Sequence, residues 1–205
     1  MYLEGLCFIT DRKSCGLTAE EMVSVVLRAG VKWIQYREKD KSRREIYEEA
    51  VRLRKLTKEF SATFIMNDHS DIAIAVNADG VHLGQEDLPI KEARKIIGKG
   101  KIIGISTHSL EQAINAEAGG ADYVGFGPIF HTKTKDAGEP KGAVMLRELK
   151  KRVKIPVVAI GGINIENLKS VLNSGADAVA VASAILSGNI SDNIACFLKV
   201  LYKNR

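Results

Sequence analysis

Eight short apolar runs recur along the chain, each closed by polar or glycine residues and most followed by an amphipathic stretch. They are Leu6–Thr10, Trp33–Tyr36, Thr63–Met66, Gly80–Leu83, Ile102–Ile105, Tyr123–Phe126, Val157–Ile160 and Ala178–Val181. Their apolar residues are continuous rather than alternating with polar ones, the pattern of strands buried on both faces of a parallel sheet. The stretches between them carry helix signals. Thr18-Ala19-Glu20-Glu21 has capping-box chemistry ahead of Met22, Val25 and Val26. Ser42–Phe60 places Ile46, Tyr47, Ala50, Leu53 and Leu56 at helical spacing. Helices are also expected over Leu110–Ala118 and Ile165–Asn173, and glycine follows each, as a left-handed C-terminal stop requires.

Eight strand–helix units in 205 residues are compact but sufficient for a closed barrel. The expected fold is α/β, a single (β/α)₈ TIM barrel forming one domain over residues 1–205. An open doubly wound sheet uses the same alternation, but with fewer strands and often a glycine-rich phosphate loop after the first. Here the first run leads into Thr10-Asp11-Arg12-Lys13, with no such loop.

Composition narrows the function more than the fold. A net charge of +5, from 30 basic and 25 acidic residues, is spread through mixed-sign helices. No basic stripe with interleaved aromatics is present, which argues against a nucleic-acid partner. The Lys39–Arg54 charge run reads as a solvated helix face, apart from Lys39. Cys7, Cys15 and Cys196 form no CxxC pair, and the four histidines form no metal-ligand spacing. The start of the chain lacks a signal-peptide pattern, and no apolar run approaches the ~20 residues of a membrane span. A cytoplasmic protein with no membrane partner is expected, and a homo-oligomer stays open.

The candidate chemistry lies at the ends of the runs, because barrel enzymes carry their active sites on the loops after the strands. Gln35, Arg37 and Lys39 follow the second run, Asn67 and Asp68 the third, Asp87 the fourth, and Ser106 and His108 the fifth. The sixth opens a long loop with His131, Thr132, Thr134 and Lys135. The seventh ends in Gly161-Gly162 and the eighth in Ala182-Ser183. Arg37, Lys39 and Lys135 with Gln35, Asn67, Ser106, Thr132 and Thr134 make a cradle for several phosphate oxygens. Gly161-Gly162 allows close backbone approach to a second anion. Two anion sites suggest two small phosphorylated substrates.

Some of these residues have plainer readings. Asp68 and Asp87 could hold a hard cation such as Mg²⁺ together with substrate phosphates, or could simply pair with the neighbouring cations. Gly161-Gly162 could be only a tight turn. His82, between Val81 and Leu83, reads as a packed barrel residue, and Trp33 as core packing. His131 reads equally as surface decoration.

Taken in order, these segments resemble the thiamine-phosphate synthase family. The resemblance rests on Gln35-Tyr36-Arg37-Glu38-Lys39, Asn67-Asp68, Asp79-Gly80-Val81-His82-Leu83-Gly84-Gln85, Gly104-Ile105-Ser106, Gly125-Phe126-Gly127-Pro128-Ile129-Phe130, Thr132-Lys133-Thr134-Lys135 and Ile160-Gly161-Gly162-Ile163. It spans nearly the whole chain, from Phe8 to about Ile185. The family has a (β/α)₈ barrel and joins a hydroxymethylpyrimidine diphosphate to a hydroxyethylthiazole phosphate, releasing pyrophosphate. The resemblance implies that Gln35, Arg37, Lys39, Asn67 and Lys135 hold the diphosphate, and that Asp68 and Asp87 hold Mg²⁺. It puts Ser106 beside the reacting pyrimidine, with Arg37 and Lys135 as its catalytic companions. Thr132, Thr134, Gly162, Ala182 and Ser183 would cradle the thiazole phosphate.

Two alternatives share the fold. A sister branch that isomerises a thiazole carboxylate phosphate carries His where this chain has Pro128, and lacks the Thr-x-Thr-Lys run. A non-catalytic phosphate-binding barrel would be expected to lose diphosphate or metal groups, all of which are present here. Other phosphate-binding barrel enzymes, such as epimerases, need a dedicated acid/base pair at the strand ends. His131 departs from the resemblance, standing where many synthases carry Pro.

Overall fold

The computed structural model describes residues 3–132 and 138–203. Eight strands close into a barrel in sequence order, all parallel: β1 (Gly5–Ile9), β2 (Trp33–Tyr36), β3 (Thr63–Asn67), β4 (Gly80–Leu83), β5 (Ile102–Thr107), β6 (Tyr123–Phe126), β7 (Val157–Ile160) and β8 (Ala178–Val181). Closure is made by β8 on β1, with Gly5 opposite Ala178 and Phe8 opposite Val181. The expected (β/α)₈ barrel is the fold.

The continuous apolar runs are explained by two packed surfaces. One set of strand residues, among them Phe8, Ile34, Phe64 and Val124, meets the surrounding helices. The alternate set, including Cys7, Ile9, Trp33, Ile65, Tyr123, Val158 and Ala178, fills the barrel interior. Both faces of each strand are therefore largely buried, and little polar–apolar alternation survives in the sequence. Trp33 packs edge-on against Tyr123 with ring centroids 5.3 Å apart, confirming its core role.

The outer layer holds α1 (Ala19–Arg28), α2 (Arg43–Glu59), α3 (Ser70–Ala75), α4 (Ile90–Ile97), α5 (Leu110–Ala118), α6 (Gly142–Arg152), α7 (Leu168–Asn173), the short α8 (Ser183–Leu186) and α9 (Ile190–Lys203). Thr18 with Glu21 and Ser42 with Glu45 form complete capping boxes, so the first turns of α1 and α2 start where the sequence indicated. Gly30, Gly120 and Gly175 take the positive φ expected at the helix ends.

Two expectations are corrected. The helix expected from Ile165 starts at Leu168, because the Asn164 side chain accepts the N–H groups of Glu166 and Asn167 and holds them in a turn. The Lys39–Arg54 run is not simply solvated. Glu49 is buried, accepting from the Tyr36 hydroxyl at 2.5 Å and from Lys41. Arg54 forks onto both oxygens of Asp79 at 2.8 and 2.9 Å, tying α2 to the start of β4. No helix among the described residues is long and apolar enough to cross a membrane.

Candidate active site

The strands end on one rim, and the loops beyond them wall a cavity of about 740 Å³. Of the expected site residues, Arg37, Ser106, Thr132, Gly162, Ala182 and Ser183 line it, joined by Gly161 and His131. Arg37 and Lys39 also wall a smaller cleft beside it, together with Asp11, Arg12 and Lys13. Thr134 and Lys135 lie outside the described residues.

Gln35, Asn67, Asp68 and Asp87 do not line either space. The amide of Gln35 donates to the Asn67 side-chain oxygen at 2.8 Å, both buried at the top of β2 and β3. That bond fixes the orientation of both amides and leaves the Asn67 nitrogen as a donor. Asp68 follows with φ of 64°, a left-handed conformation that Asp tolerates better than most residues. Its backbone N–H donates to the His82 carbonyl at 2.8 Å, which stitches the end of β3 to β4 while the chain turns.

This turn brings three charges together. Lys39 Nζ lies 2.5 Å from Asp68 Oδ2, and the side chains of Asp68 and Asp87 interact with each other. Burial works against ionisation of Asp68, but its bonds to Lys39 and Asp87 prevail and its pKa is lowered. Burial and the neighbouring Asp68 raise the Asp87 pKa, although the Gly84 N–H donates to Asp87 at 2.6 Å and opposes the rise. Two neighbouring carboxyls, one of which opposes ionisation of the other, are suited to a divalent cation, which would offset that repulsion. No cluster of three metal-binding side chains exists among the described residues. Mg²⁺ commonly needs only one or two carboxylates when substrate phosphates and water complete its shell, so the pair fits that ion.

On the opposite side, β7 runs into Gly161 and Gly162, both at positive φ, and β8 into Ala182 and Ser183. The Asn167 amide donates to the Gly162 carbonyl at 2.9 Å and the Phe130 N–H to the Gly161 carbonyl at 3.0 Å. These bonds hold the glycine turn in place at the cavity wall.

Lys13, Ser14 and Asn164 are lining residues that the sequence did not single out. Lys13 and Ser14 line the cavity from a 3₁₀ turn (Arg12–Ser14) capped by Asp11, and Asn164 lines it after β7. His108 Nδ1 lies 2.6 Å from the Gly127 carbonyl, joining the loops after β5 and β6. Only the three-dimensional proximity of separate loops reveals these contacts.

A closed parallel barrel whose strand-end loops gather around one cavity is the architecture of (β/α)₈ enzymes. Comparison with known proteins narrows the class. A family model described as thiamine monophosphate synthase matches residues 6–185, and the chain belongs to that family. It is 48% identical over 181 residues to the thiamine-phosphate synthase of Methanosarcina barkeri, covering 87% of this chain and 82% of that protein. It is 49% identical over 197 residues to the one from Caldicellulosiruptor saccharolyticus, covering 91% and 88%. Among solved structures, thiamine phosphate pyrophosphorylase from Pyrococcus furiosus superposes with a TM-score of 0.89 at 42% identity, covering 97% of this chain and 96% of that one. The enzyme is a transferase of thiamine biosynthesis.

Proposed function

We propose that this chain joins 4-amino-2-methyl-5-hydroxymethylpyrimidine diphosphate to hydroxyethylthiazole phosphate, giving thiamine phosphate and pyrophosphate. One observation carries the proposal: the cavity has Arg37 on one side and the Gly161-Gly162 turn and Ser183 on the other, and the cleft that Arg37 shares with it also holds Lys39. Such a cavity suits two phosphorylated molecules held face to face.

The C–O bond between the pyrimidine methylene and the diphosphate breaks, and its electron pair leaves with the diphosphate. The aminopyrimidine ring disperses the cation left behind, and the thiazole nitrogen donates its lone pair to the methylene carbon. Gln35, Arg37, Lys39, Asn67 and Lys135 hold the diphosphate. Arg37 and Lys135 favour its departure because their interaction strengthens as its charge grows. Ser106 donates to the reacting end. Thr132, Thr134, Gly162, Ala182 and Ser183 seat the thiazole phosphate so that the two reacting atoms face each other, a gain in proximity rather than in acid–base chemistry. Asp68 and Asp87 hold Mg²⁺, which when bound supplies positive charge to the leaving group. The whole chain, residues 1–205, acts as one domain, and its three free cysteines accord with a cytoplasmic setting.

The test is to mix the protein with both precursors and Mg²⁺ and to assay thiamine phosphate. Product that vanishes with EDTA or with either precursor omitted is expected. Absence of product from folded protein and intact precursors would sink the proposal.

A further inference from the structure

Three polar groups form a line through the barrel interior beneath the cavity. The Tyr123 hydroxyl lies 2.8 Å from His82 Nδ1, and His82 Nε2 lies 2.8 Å from Ser106 Oγ. Tyr123 is 1% exposed and His82 7%, while Ser106 reaches the cavity wall. Barrel interiors are ordinarily filled with branched apolar side chains, so a Tyr–His–Ser chain in that position needs a reason.

The neighbouring backbone is cut away to admit it. Gly104 stands opposite both His82 on β4 and Tyr123 on β6, and a Cβ there would overlap the Tyr123 ring. Gly125 stands opposite Ser106, and a Cβ there would lie 3.0 Å from His82 Cε1. The two rings stack at a tilt, with centroids 5.4 Å apart. Their positions are therefore set by the sheet rather than by adaptable side chains.

The protons give the line a direction. Burial pushes the Tyr123 phenol well above its ordinary pKa, so it keeps its proton. Among the described residues, its hydrogen bond goes to His82 Nδ1. A buried O–H requires an acceptor, so Nδ1 accepts and the proton of the neutral imidazole sits on Nε2. Nε2–H then donates to Ser106 Oγ, which turns the serine O–H away from His82. A doubly protonated ring would instead set Nδ1–H against the phenol O–H.

We infer that Tyr123 and His82 are positioning residues that hold the Ser106 hydroxyl as a donor aimed into the cavity, where it meets charge developing on the departing diphosphate. This rests on the synthase reading and adds to it the groups behind Ser106.

The experiment compares His82→Asn and His82→Gln, alone and with Ser106→Ala, in single-turnover pyrophosphate release. Asn places its amide near the Nδ1 position and Gln near Nε2, so only Gln keeps a donor for Ser106. His82→Asn is expected to slow release by about tenfold or more with KM for the thiazole phosphate unchanged, and His82→Gln to recover most of the rate. In the Ser106→Ala background, His82→Asn should cost nothing further. An equal cost in both backgrounds, or a rise in KM with kcat kept, would overturn the inference. Nitrogen NMR of histidine-labelled protein should place the His82 proton on Nε2, and a proton on Nδ1 would also overturn it. A wild-type protein that makes no product while showing the Nε2–H tautomer would defeat the synthase reading and leave the hydrogen-bonded line standing.

Discussion

Lys39 Nζ rests 2.5 Å from Asp68 Oδ2, so a cation suited to phosphate and a carboxylate suited to a metal neutralise each other across the tops of β2 and β3. Lys39 is half exposed, and such ion pairs contribute only about 0–1 kcal/mol. The pair is therefore readily exchanged for a diphosphate and its cation, while it keeps both side chains at the rim.

Replacing Asp68 or Asp87 with Ala should lower coupling by about a hundredfold and flatten its dependence on Mg²⁺ concentration. Asp68→Ala also frees Lys39, so its loss should be partly offset in diphosphate binding. An unchanged Mg²⁺ titration in both variants would remove the metal role from the pair.

Tyr36 and Tyr123 link stability to high pH. Burial raises both phenols, and Glu49 raises Tyr36 further. Their folded pKa values exceed the unfolded value of about 10, so the stability they contribute is complete below that pH and is lost as pH rises above it. At about pH 11, ultraviolet absorbance should register fewer phenolates in the folded protein than in the same protein unfolded by denaturant. Equal phenolate counts would contradict the burial argument.

Gly104→Ala should destabilise the barrel by about 1–3 kcal/mol, the usual cost of overpacking, because the added methyl overlaps the Tyr123 ring. The denaturation midpoint reads the effect directly. Wild-type stability would mean that the ring has room to move, which its packing against Trp33 and His82 argues against.

Gly162→Ala should weaken binding of the thiazole phosphate and leave diphosphate binding intact. Gly162 has φ of 63°, and a Cβ there would run into the His131 carbonyl and Phe130. The loop must shift, so KM for the thiazole phosphate is expected to rise by about tenfold with a smaller change in kcat. An unchanged KM would place the thiazole phosphate elsewhere.

The fold was legible because burial on both faces leaves a direct trace, a run of four or five mostly apolar residues with glycine or polar residues after it. All eight strands fell on such runs, to within a residue or two at their ends. Helix starts were legible where capping is local, as at Thr18 and Ser42, since both partners lie within four residues. The start of α7 was missed because Asn164 competes for backbone N–H groups through its side chain, and periodicity is blind to that competition.

Residue types and order along the chain thus determined the barrel, the family and the polarity of the rim. Tertiary structure alone decided which rim groups touch: the Asp68–Asp87 pair, the Gln35–Asn67 bond, and the line from Tyr123 through His82 to Ser106. His82 read as packing and Tyr123 as one more apolar strand residue, and each was half right. A side chain's partner inside a closed barrel is fixed by strand register and by the glycines opposite it, contacts made between segments 24 to 41 residues apart, over which no local sequence pattern extends.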